Sequence, residues 1–169
     1  MTDLVTGLKA GAISGVIYGV ISTVMTEIFA LTILKGFIMT VLDRAVSQAA
    51  NSGVTLSASS LYTLTIDLAG IAAFIGGIVA GLILGIIFGA LYSRIPGKTP
   101  VNRGLLLGLI MWLGLSVLVG LVSLFEYGVY YYLISVADGL VLSLIFGYLL
   151  GYFFGMWREP VSSPNATQQ

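Results

Sequence analysis

Apolar residues in this chain gather into four long, nearly uninterrupted stretches and do not alternate with polar ones. The stretches run over about 8–34, 61–92, 105–125 and 130–157. Each has room for the roughly 20 helical residues that cross a hydrocarbon core about 30 Å thick. Lipid offers backbone N–H and C=O groups no partner, and the runs lack the period-two pattern of barrel strands, so helices are predicted. The first two stretches exceed the required length and are expected to tilt or protrude. The predicted fold is an all-α integral membrane protein, a four-transmembrane-helix bundle forming one membrane domain over residues 1–159. The polar, Pro-containing residues 160–169 are expected to be a disordered tail.

The connections carry their own signals. Between the first two spans, about 36–50, Phe37, Ile38, Val41, Leu42, Ala45, Val46 and Ala49 recur at helical spacing, opposite Asp43, Arg44, Ser47 and Gln48. That pattern predicts an amphipathic helix, lying at the membrane interface or prolonging the first span outward. Asn51-Ser52-Gly53 is a stop signal, and Ser57 to Ser60 offers N-caps to the second span. Pro96-Gly97-Lys98-Thr99-Pro100 reads as a tight turn. The link around Glu126-Tyr127-Gly128 is so short that the third and fourth spans must be antiparallel neighbours.

Composition agrees with lipid as the solvent. Hydrophobic residues make up 58% and charged residues 8% of the 169 positions, against about 25% charged in soluble domains. The chain has neither Cys nor His, which excludes disulfides, thiolate nucleophiles and thiolate or imidazole metal sites. Balanced charge without a basic run argues against nucleic acid. No cofactor motif and no recognisable catalytic constellation is found, so a non-enzymatic protein is expected. The N-terminus lacks the basic region of a signal peptide and reads as the start of an uncleaved first helix.

Basic residues suggest the orientation. With four crossings, Lys9, Arg94, Lys98, Arg103 and Arg158 fall on one side, and Lys35 and Arg44 on the other. The positive-inside rule makes the richer side cytoplasmic, with both termini there and the 36–50 segment outside, in a cell (plasma) membrane protein. Tyr127, Tyr130, Tyr131 and Tyr132 would form the outer aromatic belt, and Tyr92 and Trp157 the inner one. Tyr148, Tyr152, Phe153, Phe154 and Trp157 read as belt and lipid contacts. The sequon Asn165-Ala166-Thr167 then lies in the cytoplasm and reads as a chance match.

Glycine is the strongest local signal. Gly7, Gly11, Gly15 and Gly19 recur every four residues, as do Gly77, Gly81, Gly85 and Gly89, and Gly147, Gly151 and Gly155. Residues four apart stack on one helix face. Missing side chains there let two backbones approach closely, which matters where lipid supplies little hydrophobic drive to pairing. Glycine-zipper packing within the bundle is the first reading, and homo-oligomerisation through a leftover row the second. Gly104 and Gly108 open the third span as Gly7 and Gly11 open the first, and spans two and four both finish in Arg-x-Pro. Two tandem helical-hairpin repeats would produce this, as would coincidence in a chain with 22 glycines. Trp112, one step beyond Gly104 and Gly108, reads as a knob facing a glycine groove.

The remaining candidates are acidic. Glu27, Asp67, Glu126 and Asp138 fall in or beside the spans, within about a turn of the outer boundary. Together they could form an anionic mouth binding cations or protons. The alternative is interfacial placement, with hydrogen bonds to hydroxyls or pairing with Lys35 or Arg44. The inner part of the spans holds only scattered polar groups (Ser14, Tyr18, Ser22, Thr23, Ser116 and Ser143), a thin pathway for ions. The leading expectation is thus a helix-packing or membrane-complex subunit, embedded in a lipid bilayer and partnered by itself or a larger membrane protein. A small cation- or proton-linked transporter or channel is the rival.

Overall fold

A computed structural model describes residues 2–53 and 57–158. The expected disordered tail at 160–169 lies outside the described residues. The described residues are helical throughout, with short turns and no strand among them. In chain order the helices are α1 (Thr2–Thr32), α2 (Lys35–Asn51), α3 (Ala58–Leu91), α4 (Pro100–Met111), a π-helical segment (Trp112–Val119), α5 (Leu121–Tyr127) and α6 (Val129–Trp157). Four helical stretches are long and apolar enough to cross a membrane: Asp3–Thr32, Ala58–Leu91, Pro100–Phe125 and Val129–Trp157.

Local chemistry explains the boundaries. Thr99 caps α4, its hydroxyl oxygen accepting from the Asn102 N–H at 3.2 Å, and Pro100 fills the first helical position, where no N–H is needed. Gly53, at φ +81°, follows α2 at the Asn51-Ser52-Gly53 stop. Gly128, at φ +87°, supplies the reversal between α5 and α6, a conformation that side-chain-bearing residues avoid.

The segment 36–50 is helical as expected, but it does not prolong the first span in a straight line. Ile38, Met39 and Leu42 pack against a buried cluster of Ala30, Tyr62 and Ile66. A continuous helix would carry Leu42 about 18 Å past Ala30, so the break at Ile33–Leu34 must fold α2 back. There the N–H groups of Ile33 and Leu34 share the Phe29 carbonyl, at 3.0 and 2.9 Å. Met39 replaces Val41 and Ala45 on the covered side, since both of these are exposed.

The described residues divide into two compact units, one within residues 15–81 and the other within residues 2–14 and 82–158. Within 15–81, the buried Tyr62 hydroxyl donates to the Ala30 carbonyl at 2.9 Å, and the Thr23 hydroxyl lies 3.0 Å from the Gly70 carbonyl, tying α1 to α3. Within the other unit, Phe88, Phe146, Leu150 and Phe154 are fully or almost fully buried.

Along α1, burial sorts residues by size and hardly by polarity. Gly7, Gly11, Gly15 and Gly19 are buried, while Val16, Val20, Val24 and Ile28 stand exposed. A helix facing water would place its large apolar side chains inward. Here they are turned out, as suits a surface that lipid covers.

Candidate functional site

The glycine rows lie where helices approach closely. Within residues 15–81, a Cβ added at Gly15 would come 2.9 Å from the Gly81 Cα, and one at Gly77 would come 2.6 Å from the Gly19 Cα. In the other unit, a Cβ at Gly7 would strike the Gly85 carbonyl oxygen and lie 2.9 Å from the Gly89 Cα. One at Gly85 would lie 2.7 Å from the Gly11 Cα. The α4–α6 contact has the same form. A Cβ at Gly104 would strike the Gly147 carbonyl and lie 2.9 Å from the Gly151 Cα, and one at Gly108 would strike the Ser143 carbonyl. Gly155 ends its row exposed, with the Pro100 ring 3.1 Å from the added atom.

Beyond Met111 the third span changes character, which nothing in the apolar pattern announces. The π-helical segment is bound to α6 by side chains. The Trp112 Nε1–H donates to the Val136 carbonyl at 2.8 Å, and the Tyr132 hydroxyl donates to the Val117 carbonyl at 3.3 Å. Trp112 also faces glycine, its Cδ1 standing 3.7 Å from a Cβ added at Gly139, and the Ser116 hydroxyl packs against the same position. The indole edge is thus at ordinary contact distance from a single glycine, and Ser116 is the nearer neighbour of that position.

A second constellation gathers at the ends of four helices in the same unit. The start of α1 abuts α3, since a Cβ at Gly89 would strike the Asp3 carbonyl. Arg158, just past α6, donates Nε–H to Asp3 Oδ1 at 3.2 Å. Both charges suit the helix ends they occupy: a carboxylate in the first turn of α1 and a cation after the last turn of α6. Arg103 of α4 donates from Nη1 to the Tyr92 carbonyl at 2.7 Å, just past α3, and from Nε to the Gly97 carbonyl at 3.0 Å. Tyr92 stacks on Phe154 at 4.5 Å between centroids, and Phe88 meets Phe154 edge to face at 5.0 Å. Tyr92 and Phe154 therefore belong to the interior and not to an interfacial belt. Tyr148 and Tyr152, by contrast, are exposed and stack on each other.

The acids do not present as a gathered set. Glu27 and Asp67 are exposed, and among the described residues neither pairs with Lys35 or Arg44. Glu27 Oε1 reaches within 3.4 Å of a Cβ added at Gly70, three residues from Asp67. Asp138 is half-buried, and its Oδ1 is shielded without a hydrogen-bond partner among the described residues. Glu126 stands near the end of α5, and its side chain lies outside the described residues. Among the described residues no three acids group as a metal site would require.

Sequence reasoning singled out Arg103, Arg158 and Tyr92 for their distribution along the chain and missed their convergence. The available signal was the common position of Tyr92, Arg103 and Arg158 at helix ends on one predicted side. No curated protein and no solved structure matches the chain. Residues 9–164, nearly the whole of the described helical array, match the family of unknown function DUF6789, and the chain belongs to that family.

Proposed function

We propose that this is a multi-pass membrane protein without enzymatic activity, whose work is helix–helix association as a packing subunit of a membrane complex. The observation that carries the reading is the occupied state of the glycine rows. Added Cβ atoms at Gly7, Gly15, Gly77, Gly85, Gly104 and Gly147 would meet facing backbone of the same chain. The rows then act as zippers that build this protein's own bundle. Association with a second copy or a larger partner would then have to displace lipid from outward apolar side chains, such as Val20, Val24 and Leu118. Crosslinking followed by affinity purification from native membranes tests this. Recovery of a defined assembly is expected, and repeated recovery of the lone polypeptide would refute it.

The hairpin-repeat reading belongs here too. Gly7 meets Gly85 and Gly89 as Gly104 meets Gly147 and Gly151. That common contact matches Gly85 with Gly147, one turn away from the correspondence suggested by the ends of the two rows. The orientation proposed is cytoplasmic for the side bearing Lys9, Arg94, Lys98, Arg103 and Arg158. Because the chain has no Cys, single cysteines at Ser93 and at Ser52 can be labelled with an impermeant maleimide in intact cells. Labelling at Ser52 alone is expected, and labelling at Ser93 alone would invert the topology.

One observation favours a transport reading as the alternative, namely the shielded oxygen of Asp138, which has no hydrogen-bond partner among the described residues. An ionisable group placed so within a span is a candidate for cation or proton exchange. Flux into dye-loaded liposomes, comparing the natural protein with a variant carrying Asp67→Asn and Asp138→Asn, decides it. A background leak unchanged between the two would dispose of transport.

A further inference from the structure

Two guanidinium groups share one tyrosine ring at the converging helix ends. The Cζ atoms of Arg103 and Arg158 each stand 4.4 Å from the Tyr92 ring centroid. They can therefore be no farther apart than twice that distance, which is close for two like charges. Among the described residues Asp3 is the one carboxylate that pairs with them, so the cluster keeps one positive charge in excess. Donors also remain. Arg103 uses Nε and Nη1, and Arg158 uses only Nε, which leaves one terminal amino group of Arg103 and both of Arg158 uncommitted among the described residues.

We propose that Arg103 and Arg158 bind a phosphate group, supplied by the headgroup of an anionic phospholipid. The planar guanidinium fork matches the oxygens of phosphate, and its hydrogen bonds to an anion are charge-assisted. The Tyr92 ring supports both cations through its face and limits their motion, while the carbonyls of Tyr92 and Gly97 fix Arg103 in direction. The site is reachable, since the Arg158 side chain is 34% exposed. It also lies at the ends of apolar helices, where Leu91, adjacent in sequence to Tyr92, and Met156, two residues before Arg158, are exposed. Exposed Arg94 and Lys98 in the adjoining loop add attraction toward an anionic leaflet. A free phosphate ion shares the headgroup's chemistry but would draw nothing from the apolar flank.

The test uses the full chain in detergent, titrated with phosphatidylglycerol or phosphatidylcholine and followed by native mass spectrometry. Phosphatidylglycerol should bind in preference. Arg158→Gln should weaken it about tenfold, the size of one charge-assisted hydrogen bond, and leave phosphatidylcholine unchanged. Asp3→Asn removes the competing carboxylate and should tighten phosphatidylglycerol binding, an opposite change that misfolding would not produce. Equal binding of both lipids by the natural protein, or phosphatidylglycerol binding indifferent to both substitutions, would overturn the proposal. Displacement of the lipid by millimolar inorganic phosphate would overturn the lipid as the source and assign the site to a soluble anion.

Discussion

Near Gly104 and Gly108, α4 meets α6 backbone against backbone; from Trp112 to Val117 the π-helical segment that continues the span is joined to α6 through side chains. In the first region contact is made by leaving atoms out. Dispersion between closely set backbones supplies the attraction, and no polar group is needed. In the second, an indole and a phenol reach across and donate to carbonyls that already belong to helices. The π-helical winding is confined to this second region. The pairing runs antiparallel throughout, with Gly104 near Gly147, Gly108 near Ser143, Trp112 on Val136 and Val117 on Tyr132. One helix pair thus contains a seam where added atoms would meet facing backbone, and a second held by side-chain bonds, where an atom added at Gly139 would meet the Ser116 side chain. Irregular winding is common at functional positions, which singles out the π-helical half for substitution.

The sharpest way to break this comparison is to add one methyl group to the close seam. In Gly104→Ala the new Cβ would strike the Gly147 carbonyl, a backbone atom that no rotamer change can move aside. Overpacking of this kind is expected to cost about 3 kcal/mol, measured as unfolding free energy in mixed micelles of detergent and dodecyl sulfate. A variant as stable as the natural protein would mean that the glycine seam has no energetic role. A middle-sized effect is expected from Trp112→Phe, which keeps most of the ring over Gly139 and removes the bond to the Val136 carbonyl. Interhelical hydrogen bonds in membranes are individually modest, so the loss should be about 1 kcal/mol. A loss as large as that at Gly104 would show that the two seams do not differ in kind.

These seams were unequally legible from residues alone. A row of glycines four apart suggests close approach because it clears one helix face of side chains, and added Cβ atoms at Gly104 and Gly108 would meet Gly147, Gly151 and Ser143. Gly128 and the Pro96-Gly97 turn were readable for the same local reason. The winding of Trp112–Val119 was not, because WLGLSVLV is as apolar as any ordinary span and hydropathy carries no information on which carbonyl each N–H chooses. The cluster of Asp3, Tyr92, Arg103 and Arg158 was hidden for a different reason. Its members lie far apart along the chain and are joined only once α1, α3, α4 and α6 have set their lengths. Asp138 was visible as an acid in a span, yet the shielding of a single carboxylate oxygen depends on packing at the scale of one atom.

The smallest effect should come from the same substitution made in the π-helical half. Gly114 lies within the π-helical segment, and a Cβ added there meets nothing within 4 Å. Gly114→Ala therefore introduces no clash, and it removes the backbone freedom that glycine must surrender on ordering. A helical glycine is less stable than alanine by about 0.5–1 kcal/mol, so a gain of about 0.5 kcal/mol is expected in the same micellar unfolding measurement. Gly104→Ala and Gly114→Ala are chemically identical changes ten residues apart in one span, and opposite signs are expected. Destabilisation by Gly114→Ala would mean that something does press on the π-helical segment. The outward face there would then be covered by another protein surface, which would draw the partner of this chain to that position.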